Sequence, residues 1–403
     1  MQLVRINYKY TMDLESFDEC FPGEIVPTVM SGGSYDAFKP DPLPPEIDMR
    51  ELTEEVSRAA RSLGKLHGIG PRAGSKKILI EPFVRKEALE SSQIEGTQAT
   101  LSDIYAFEAG QQTLIKEARK QGTQEVINYL NALNHGLRMV SEEDRITLDV
   151  ICGMHDRLLS EVRGDRSNPG KIRERQNFIG SGGGIDEATY VPPPPNEVMD
   201  LMQDLVKYTN KRDDLPPLVS MGLIHYQFET IHPFLDGNGR LGRLLVSLLL
   251  QRDNLLPEPY LYLSSFFNKH RSEYINHLQN VRLHGEWREW LLFFLNGIKS
   301  QAEEAFRRAN LLVDLREEYQ ERYRTERSEN ILELVICLFE KPYIDVNTAQ
   351  RMVDANHSTA NRLISRLEDD GVLTEVTGKD RNRFYRANEI FRLISEPIEN
   401  LEK

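Results

Sequence analysis

Apolar residues along this chain recur mostly at the three-and-four spacing of helices. Leu52, Val56, Ala59, Ala60, Leu63 and Leu66 share one stripe, which predicts a helix from Glu46 to Leu66 that Gly68 and Gly70 end. A second helix follows Glu81-Pro82-Phe83, runs through Arg85, Ala88 and Ile94, and stops at Gly96. Leu101 to Gly122 and Gln124 to Val140 predict two more, with Thr123 and Ser141 as caps, and Ile146 to Leu159 another. Helices resume at Asn196 and at Leu215, the latter passing through Met221, His225, Phe228 and Ile231. Leu244 to Leu250 is so continuously apolar that it reads as a buried helix. Tyr260 to Tyr274 and Trp287 to Ile298 extend the bundle, and 299–325 reads as a charged helical connector.

Three stretches depart from this pattern. Residues 1 to about 48 look irregular, because Ser31-Gly32-Gly33-Ser34 and Pro40 to Pro45 interrupt any period. Phe178-Ile179-Gly180 and Ala188 to Val191 are short extended pieces around the turn Ser181 to Gly184, which predicts a β-hairpin. Helices at Ile331 to Phe339, Asn347 to Ala355 and His357 to Asp370 precede a strand-turn-strand over Val372 to Arg386 centred on Gly378, a winged-helix arrangement. The expected fold class is mainly α: a helical bundle with a small β-hairpin and a C-terminal winged helix-turn-helix domain.

Composition bounds the function. At 403 residues and 39% hydrophobic content, two or three globular units are expected. A net charge of −13 argues against a globally nucleic-acid-binding or membrane-surface protein. Cys20, Cys152 and Cys337 are too scattered for a metal site or a disulfide framework, and with no apolar signal core at Met1 to Arg5 and no membrane-length run, a cytoplasmic location is expected. Gly70 to Lys76 has its glycines too close together, and lacks the leading strand, for a phosphate-binding loop.

The chemistry concentrates in His232 to Arg243, His-Pro-Phe-Leu-Asp-Gly-Asn-Gly-Arg-Leu-Gly-Arg. Gly237-Asn238-Gly239 forms a turn that feeds the apolar helix beginning at Arg240. A helix N-terminus presents unpaired N–H groups and a positive dipole end, both favourable to an anion. Arg240 and Arg243, three apart, share a face near that anion. Asp236 would repel a bare phosphate, so its presence makes sense with Mg²⁺ bridging it to phosphate oxygens. His232 is placed to take a proton from an attacking group. Together these describe nucleotide phosphate chemistry.

These twelve residues resemble the signature of the Fic (filamentation induced by cAMP) family, His-Pro-Phe-x-Asp/Glu-Gly-Asn-Gly-Arg-x-x-Arg, at every specified position. The resemblance implies a Fic-type helical bundle and a protein adenylyltransferase, which moves AMP from ATP to a protein hydroxyl and releases diphosphate. It implies His232 as the base that deprotonates the target hydroxyl, Asp236 as the Mg²⁺ ligand, and Gly237, Asn238 and Gly239 as the phosphate cradle. Arg240 and Arg243 would hold the β- and γ-phosphates, and Phe234 would anchor the loop. The stretch Ser91-x-x-x-Glu95-Gly96 resembles the family's inhibitory-helix motif, in which the glutamate pairs with the second arginine, here Arg243, and blocks the γ-phosphate site. The hairpin, led into by Pro169-Gly170-Lys171-Ile172-Arg173 and left through Val191-Pro192-Pro193, corresponds to the flap that clamps a target's main chain by strand addition, with Ile179 and Gly180 on it.

The expected organisation is an N-terminal region over 1–115 with the inhibitory helix at about 83–96. A catalytic core follows over 116–300, with the flap at about 172–192, then a connector over 301–325 and the winged helix over 326–403. His155 and His225 read as packed helix residues. Tyr260, Tyr262 and Tyr274 are candidates for stacking on adenine. The third helix of the C-terminal region sets Arg362 and Arg366 against Glu368, Asp369 and Asp370, and the wing sets Lys379, Arg381, Arg383 and Arg386 against Glu375 and Asp380. DNA contact and a dimerisation or protein-interaction role both stay open there, the second favoured. ATP, an unidentified target protein, self-modification and a homodimer are the expected partners, with no membrane. The alternatives are a de-AMPylating hydrolase at the same site and a winged-helix transcriptional regulator carrying a Fic module.

Overall fold

The computed structural model describes residues 16–19, 21–30, 33–69, 77–160, 168–180, 185, 188–211, 214–324, 329–378 and 383–401. The hairpin turn Ser181 to Gly184, the stretch Gly70 to Lys76, Cys20, and Lys379, Asp380 and Arg381 of the C-terminal turn lie outside the described residues.

The chain begins with β1 (Gly23–Met30), β2 (Gly33–Pro40), α1 (Thr53–His67), α2 (Lys77–Ile94), α3 (Leu101–Glu108), α4 (Glu117–Glu143) and α5 (Leu148–Leu158). It continues with β3 (Ile179–Gly180), β4 (Ala188–Tyr190), α6 (Pro195–Asn210), α7 (Pro217–Ile231), α8 (Asn238–Arg252), α9 (Ser264–Lys269), α10 (Arg271–His284) and α11 (Trp287–Tyr323). Last come α12 (Glu329–Glu340), β5 (Tyr343–Ile344), α13 (Val346–Met352), α14 (His357–Asp369), β6 (Leu373–Glu375), β7 (Tyr385–Ala387), α15 (Asn388–Ser395) and α16 (Ile398–Leu401). Two units divide the chain: one holds 1–60, 128–254 and 266–299, the other 61–127, 255–265 and 300–403. Among the described residues, no helix is long and apolar enough to cross a membrane.

In the first unit, α7 and α8 form the centre. Met221 to Ile231 and Leu241 to Leu250 are buried without a break, as expected of helices lacking a polar face. Gly242 lets the two helices meet: a Cβ there would fall 2.2 Å from Glu229 Oε1 and 3.1 Å from Phe228 Cδ1. His225 is buried here, as expected, between the Gly242 carbonyl (3.1 Å) and the Tyr274 hydroxyl (2.8 Å), and burial pushes its pKa down to about 3.

The N-terminal region corrects the expectation of irregularity. Gly23 to Met30 pairs antiparallel with Gly33 to Pro40, from Gly23↔Pro40 to Met30↔Gly33. Of the serine–glycine cluster that interrupts helical periodicity, Gly33 and Ser34 open β2, whose buried positions come in pairs, and Ser31 and Gly32 lie outside the described residues. Phe38 donates its N–H to the Val191 carbonyl at 3.0 Å, so its backbone groups face away from β1. Its partner Ile25, and by alternation Pro27, therefore face the outer edge, where a residue without N–H is tolerated.

Other boundaries shift for local reasons. α2 begins at Lys77 and contains Pro82, which forfeits one bond near the helix start. Thr123 and Ser141 lie inside α4 rather than capping it, and Thr123 donates its hydroxyl to the Arg119 carbonyl at 2.9 Å. The caps are Thr100, in a capping box with Asp103, and Thr147. The stretch from 299 is the continuation of α11, with Ala302, Ala305, Ala309, Leu312 and Val313 buried.

In the second unit, α2 packs against α12 and α15. Arg308 is buried between elements: it donates to the Leu393, Ile394 (3.3 Å) and Glu396 (2.9 Å) carbonyls and pairs with Glu304 at 2.9 Å, which Lys86 also reaches at 3.2 Å. Tyr105 stacks on Tyr343 at 5.7 Å. The region beyond 329 follows the anticipated order of three helices and a strand pair, with β5 completing a sheet of order β5-β7-β6 and α15 and α16 added. Asp370, at the acidic end of α14, pairs with Arg366 at 3.2 Å and accepts from Tyr323 at 2.9 Å.

Candidate active site

Proline after His232 disfavours helical backbone at His232 itself, and α7 ends there. His232 takes up left-handed backbone (φ 49°, ψ 60°) and its N–H closes on the Phe228 carbonyl at 3.0 Å. Its Nδ1 lies 3.2 Å from the Glu229 carbonyl, which can only accept. Nδ1 therefore carries the proton, and Nε2 is the nitrogen able to take one.

The loop that follows is held from beneath. Phe234 is fully buried, its N–H donates to Asn238 Oδ1 (2.9 Å), and its carbonyl accepts from Asn238 Nδ2 (2.8 Å) and Asn177 Nδ2 (2.9 Å). His155 stacks flat on the Phe234 ring. Its Nδ1 accepts from the Gly170 N–H at 2.9 Å, which leaves Nε2–H to donate to the Asp236 carbonyl at 3.0 Å. Burial pushes the His155 pKa down to about 4, so the ring is neutral. His155 is thus the packed residue that its spacing predicts, and what it packs is the loop carrying Asp236. No sequence signal joined the two.

Gly237 stands at the N-terminus of α8 with φ +78°, a region glycine enters without strain. Its N–H donates to Asp236 Oδ1 at 2.7 Å, and as a glycine N-cap it offers α8 no side-chain bond. The first-turn N–H groups of α8, at Asn238 and Gly239, therefore point out along the axis beside Arg240 and Arg243, both buried. Arg240 Nη2 lies 3.7 Å from Asp236 Oδ1. Among the described residues no cluster of three His, Cys, Asp or Glu could hold a metal by itself. Asp236 alone suits Mg²⁺, which commonly takes one or two carboxylates and leaves the rest of its sphere to phosphate and water.

Arg173 is the residue that sequence reasoning used only as a marker. It is 2% exposed and has no ion pair among the described residues. Its Nε donates to the His232 carbonyl at 2.9 Å, Nη2 to Pro193 at 2.6 Å and to Ile231 at 3.4 Å, and Nη1 to Arg175 at 3.4 Å, while its own N–H reaches the Pro233 carbonyl at 2.9 Å. Burial pushes its pKa down to about 10, so it stays charged at neutral pH. Gln176 extends the work, donating to Pro192 at 2.8 Å and accepting from Thr28 at 2.7 Å.

The hairpin forms as expected, β3 against β4 with Ile179↔Tyr190 and Gly180↔Ala188 and a bulge between. Ile179 and Gly180 are exposed. Beneath it, Ala188, Tyr190, Val191 and Ile185 pack with Tyr35, Ala37 and Phe38 of β2. The Tyr190 hydroxyl donates to the Thr230 carbonyl at 2.5 Å, two residues before His232.

Ser91 is buried in α2 and Glu95 is exposed one residue past its end, both in the second unit, whereas Arg243 belongs to the first. Tyr260, Tyr262 and Tyr274 are all buried core residues. Tyr262 packs on Phe83 (5.3 Å) and Tyr274 on Phe267 (4.5 Å).

An imidazole, a carboxylate and two buried arginines thus lie within twelve residues around the N-terminus of α8, on a helical bundle. Residues 53–138 match the Fic/DOC family N-terminal region and residues 145–250 the Fic/DOC family itself, and over that span the chain belongs to the Fic family. It is similar to the protein adenylyltransferase fic-1 of Caenorhabditis elegans, 33% identical over 170 residues, covering 41% of this chain and 31% of that protein. It is also similar to the protein adenylyltransferase Fic of Nematostella vectensis, 27% identical over 253 residues, covering 61% of this chain and 54% of the relative. The chain thus spans from just under a third to just over half of those relatives' lengths. A crystal structure of a Fic family protein from Desulfovibrio desulfuricans G20 superposes with a TM-score of 0.56 at 20% identity, over 86% of this chain and 98% of the other, a likeness of fold.

Proposed function

We propose that the protein is an adenylyltransferase that moves AMP from ATP to a hydroxyl side chain of a target protein. The observation that carries this reading is the pinned His232 tautomer at the mouth of the uncapped α8 N-terminus. Nε2 takes the proton of the target hydroxyl as its oxygen attacks the α-phosphorus and diphosphate leaves. The first-turn N–H groups of Asn238 and Gly239, presented by the turn at Gly237, and the buried Arg240 and Arg243 hold the polyphosphate, and fixed dipoles of this kind stabilise charge without reorganising. Asp236 would hold Mg²⁺, which supplies neutralisation of the polyphosphate charge. The exposed backbone of Ile179 and Gly180 offers a strand edge to the target's main chain.

Glu95 acts in this reading as a brake, its carboxylate taking the Arg243 fork that the γ-phosphate needs. The catalytic core would span 116–300 and the region beyond 326 would be a winged-helix domain favouring protein contact or dimerisation. A cytoplasmic setting suits the chain's composition. Intact mass after incubation with Mg·ATP tests the whole: Glu95→Gly should gain units of AMP, the parent few, and Glu95→Gly/His232→Ala none. If Glu95→Gly gains none and transfers none to proteins of an added cell lysate, the transferase reading falls.

A further inference from the structure

We propose that Arg173 is a positioning residue that ties the flap to the base, so that a target strand seated on the flap meets His232 at a fixed distance. The inference rests on the adenylyl-transfer reading of this site.

The left-handed backbone at His232 turns its carbonyl out of the helix, where it needs a donor. Arg173 Nε supplies it at 2.9 Å. The same planar group donates at 2.6 Å to Pro193, where the chain leaves the flap, while the backbone N–H of Arg173 holds Pro233. One rigid fork therefore spans the two segments whose spacing decides whether a target oxygen reaches Nε2. A packing role alone does not explain the choice: a buried guanidinium without a carboxylate is costly, and an apolar chain would fill the space. Lysine would not substitute, since a single ammonium cannot serve carbonyls lying in different directions with a fork's fixed angles.

The test uses the full chain with Glu95→Gly as parent, compared with Arg173→Lys and Arg173→Met. Selectively labelled Ile179 methyl and His232 Cε1–H resonances read flap and base separately, with His225 Cε1–H as a reference in the bundle. Self-modification and ATP affinity are measured on the same samples. Both variants should shift the Ile179 and His232 signals together and leave His225 in place. Transfer should fall about 100-fold, the usual penalty of misplacing reacting groups, with ATP affinity unchanged. If only one of the two signals moves, or His225 moves with them, Arg173 is a structural residue and the proposal is overturned; so too if Arg173→Lys restores full transfer. If the parent transfers no AMP yet the two signals still move together, the adenylyl-transfer reading fails while the coupling stands.

Discussion

The imidazole of His155 lies on the ring of Phe234 with centroids 3.8 Å apart and planes 13° from parallel. Stacked so, and bonded through both nitrogens, it has no room for a second proton. Its pKa falls from 6.5 to about 4 because burial penalises the charged form. A depressed histidine pKa means the unfolded chain binds the extra proton first. Its stabilising contribution is therefore complete above pH 6.5 and declines as pH falls towards about 4, by roughly 3 kcal/mol in all. His155→Gln should show a shallower loss of stability over that window in denaturant titrations, with His225, of the same sign, supplying the slope that remains.

Two glycines of the signature predict different failures. Gly242→Ala drives a methyl into Glu229 and Phe228 and should cost about 1–3 kcal/mol of stability, read as a lowered thermal midpoint. At Gly237 an alanine side chain meets only ordinary contacts, the nearest at 3.4 Å, but φ is +78°. Gly237→Ala should cost about 1 kcal/mol in stability and far more in nucleotide binding, since the backbone that presents the N–H groups must change.

Arg308 should prove the pin of the C-terminal helices. Burial raises the Glu304 carboxyl, but Lys86 and Arg308 outweigh it and hold it below its usual value. Arg308→Met leaves that carboxylate half-paired and removes the donors from three carbonyls at the end of α15, a loss of about 3–5 kcal/mol. Hydrogen exchange at Leu393 and Ile394 should quicken before the rest of the unit responds.

Tyr190→Phe deletes one hydrogen bond, to Thr230, and should cost about 1 kcal/mol. The informative readout is local: amide exchange at Ile179 and Thr189 should rise while that of α8 stays slow.

How much of this was legible in the sequence depended on period and proximity. α7, α8 and the loop between them could be read because continuous apolar runs flank glycines and a proline within twelve residues. The hairpin at 179–190 declared itself through glycine and proline punctuation. β1 and β2 did not, because the buried positions of β2 come in pairs and show no simple strand alternation. Arg173, His155 and Gln176 were out of reach for another reason. Their partners are mostly backbone carbonyls and N–H groups, up to 81 positions away, which carry no side-chain signature, and the Thr28 hydroxyl that Gln176 accepts from is 148 positions away. Tyr260, Tyr262 and Tyr274 show the converse: an aromatic ring looks alike on paper whether it faces a ligand or a core.

The family match begins at residue 53, and everything that lies under the flap from β1 and β2 comes before it. A fragment trimmed to the matched region would keep all twelve residues of the signature, and with them the apparatus for nucleotide. It would also bare Ala188, Tyr190 and Val191 to water, and leave Val191 without the donor Phe38 and Gln176 without the hydroxyl of Thr28. Such a fragment should bind ATP and grip its substrate poorly, so an assay on it would measure the engine with its clutch removed.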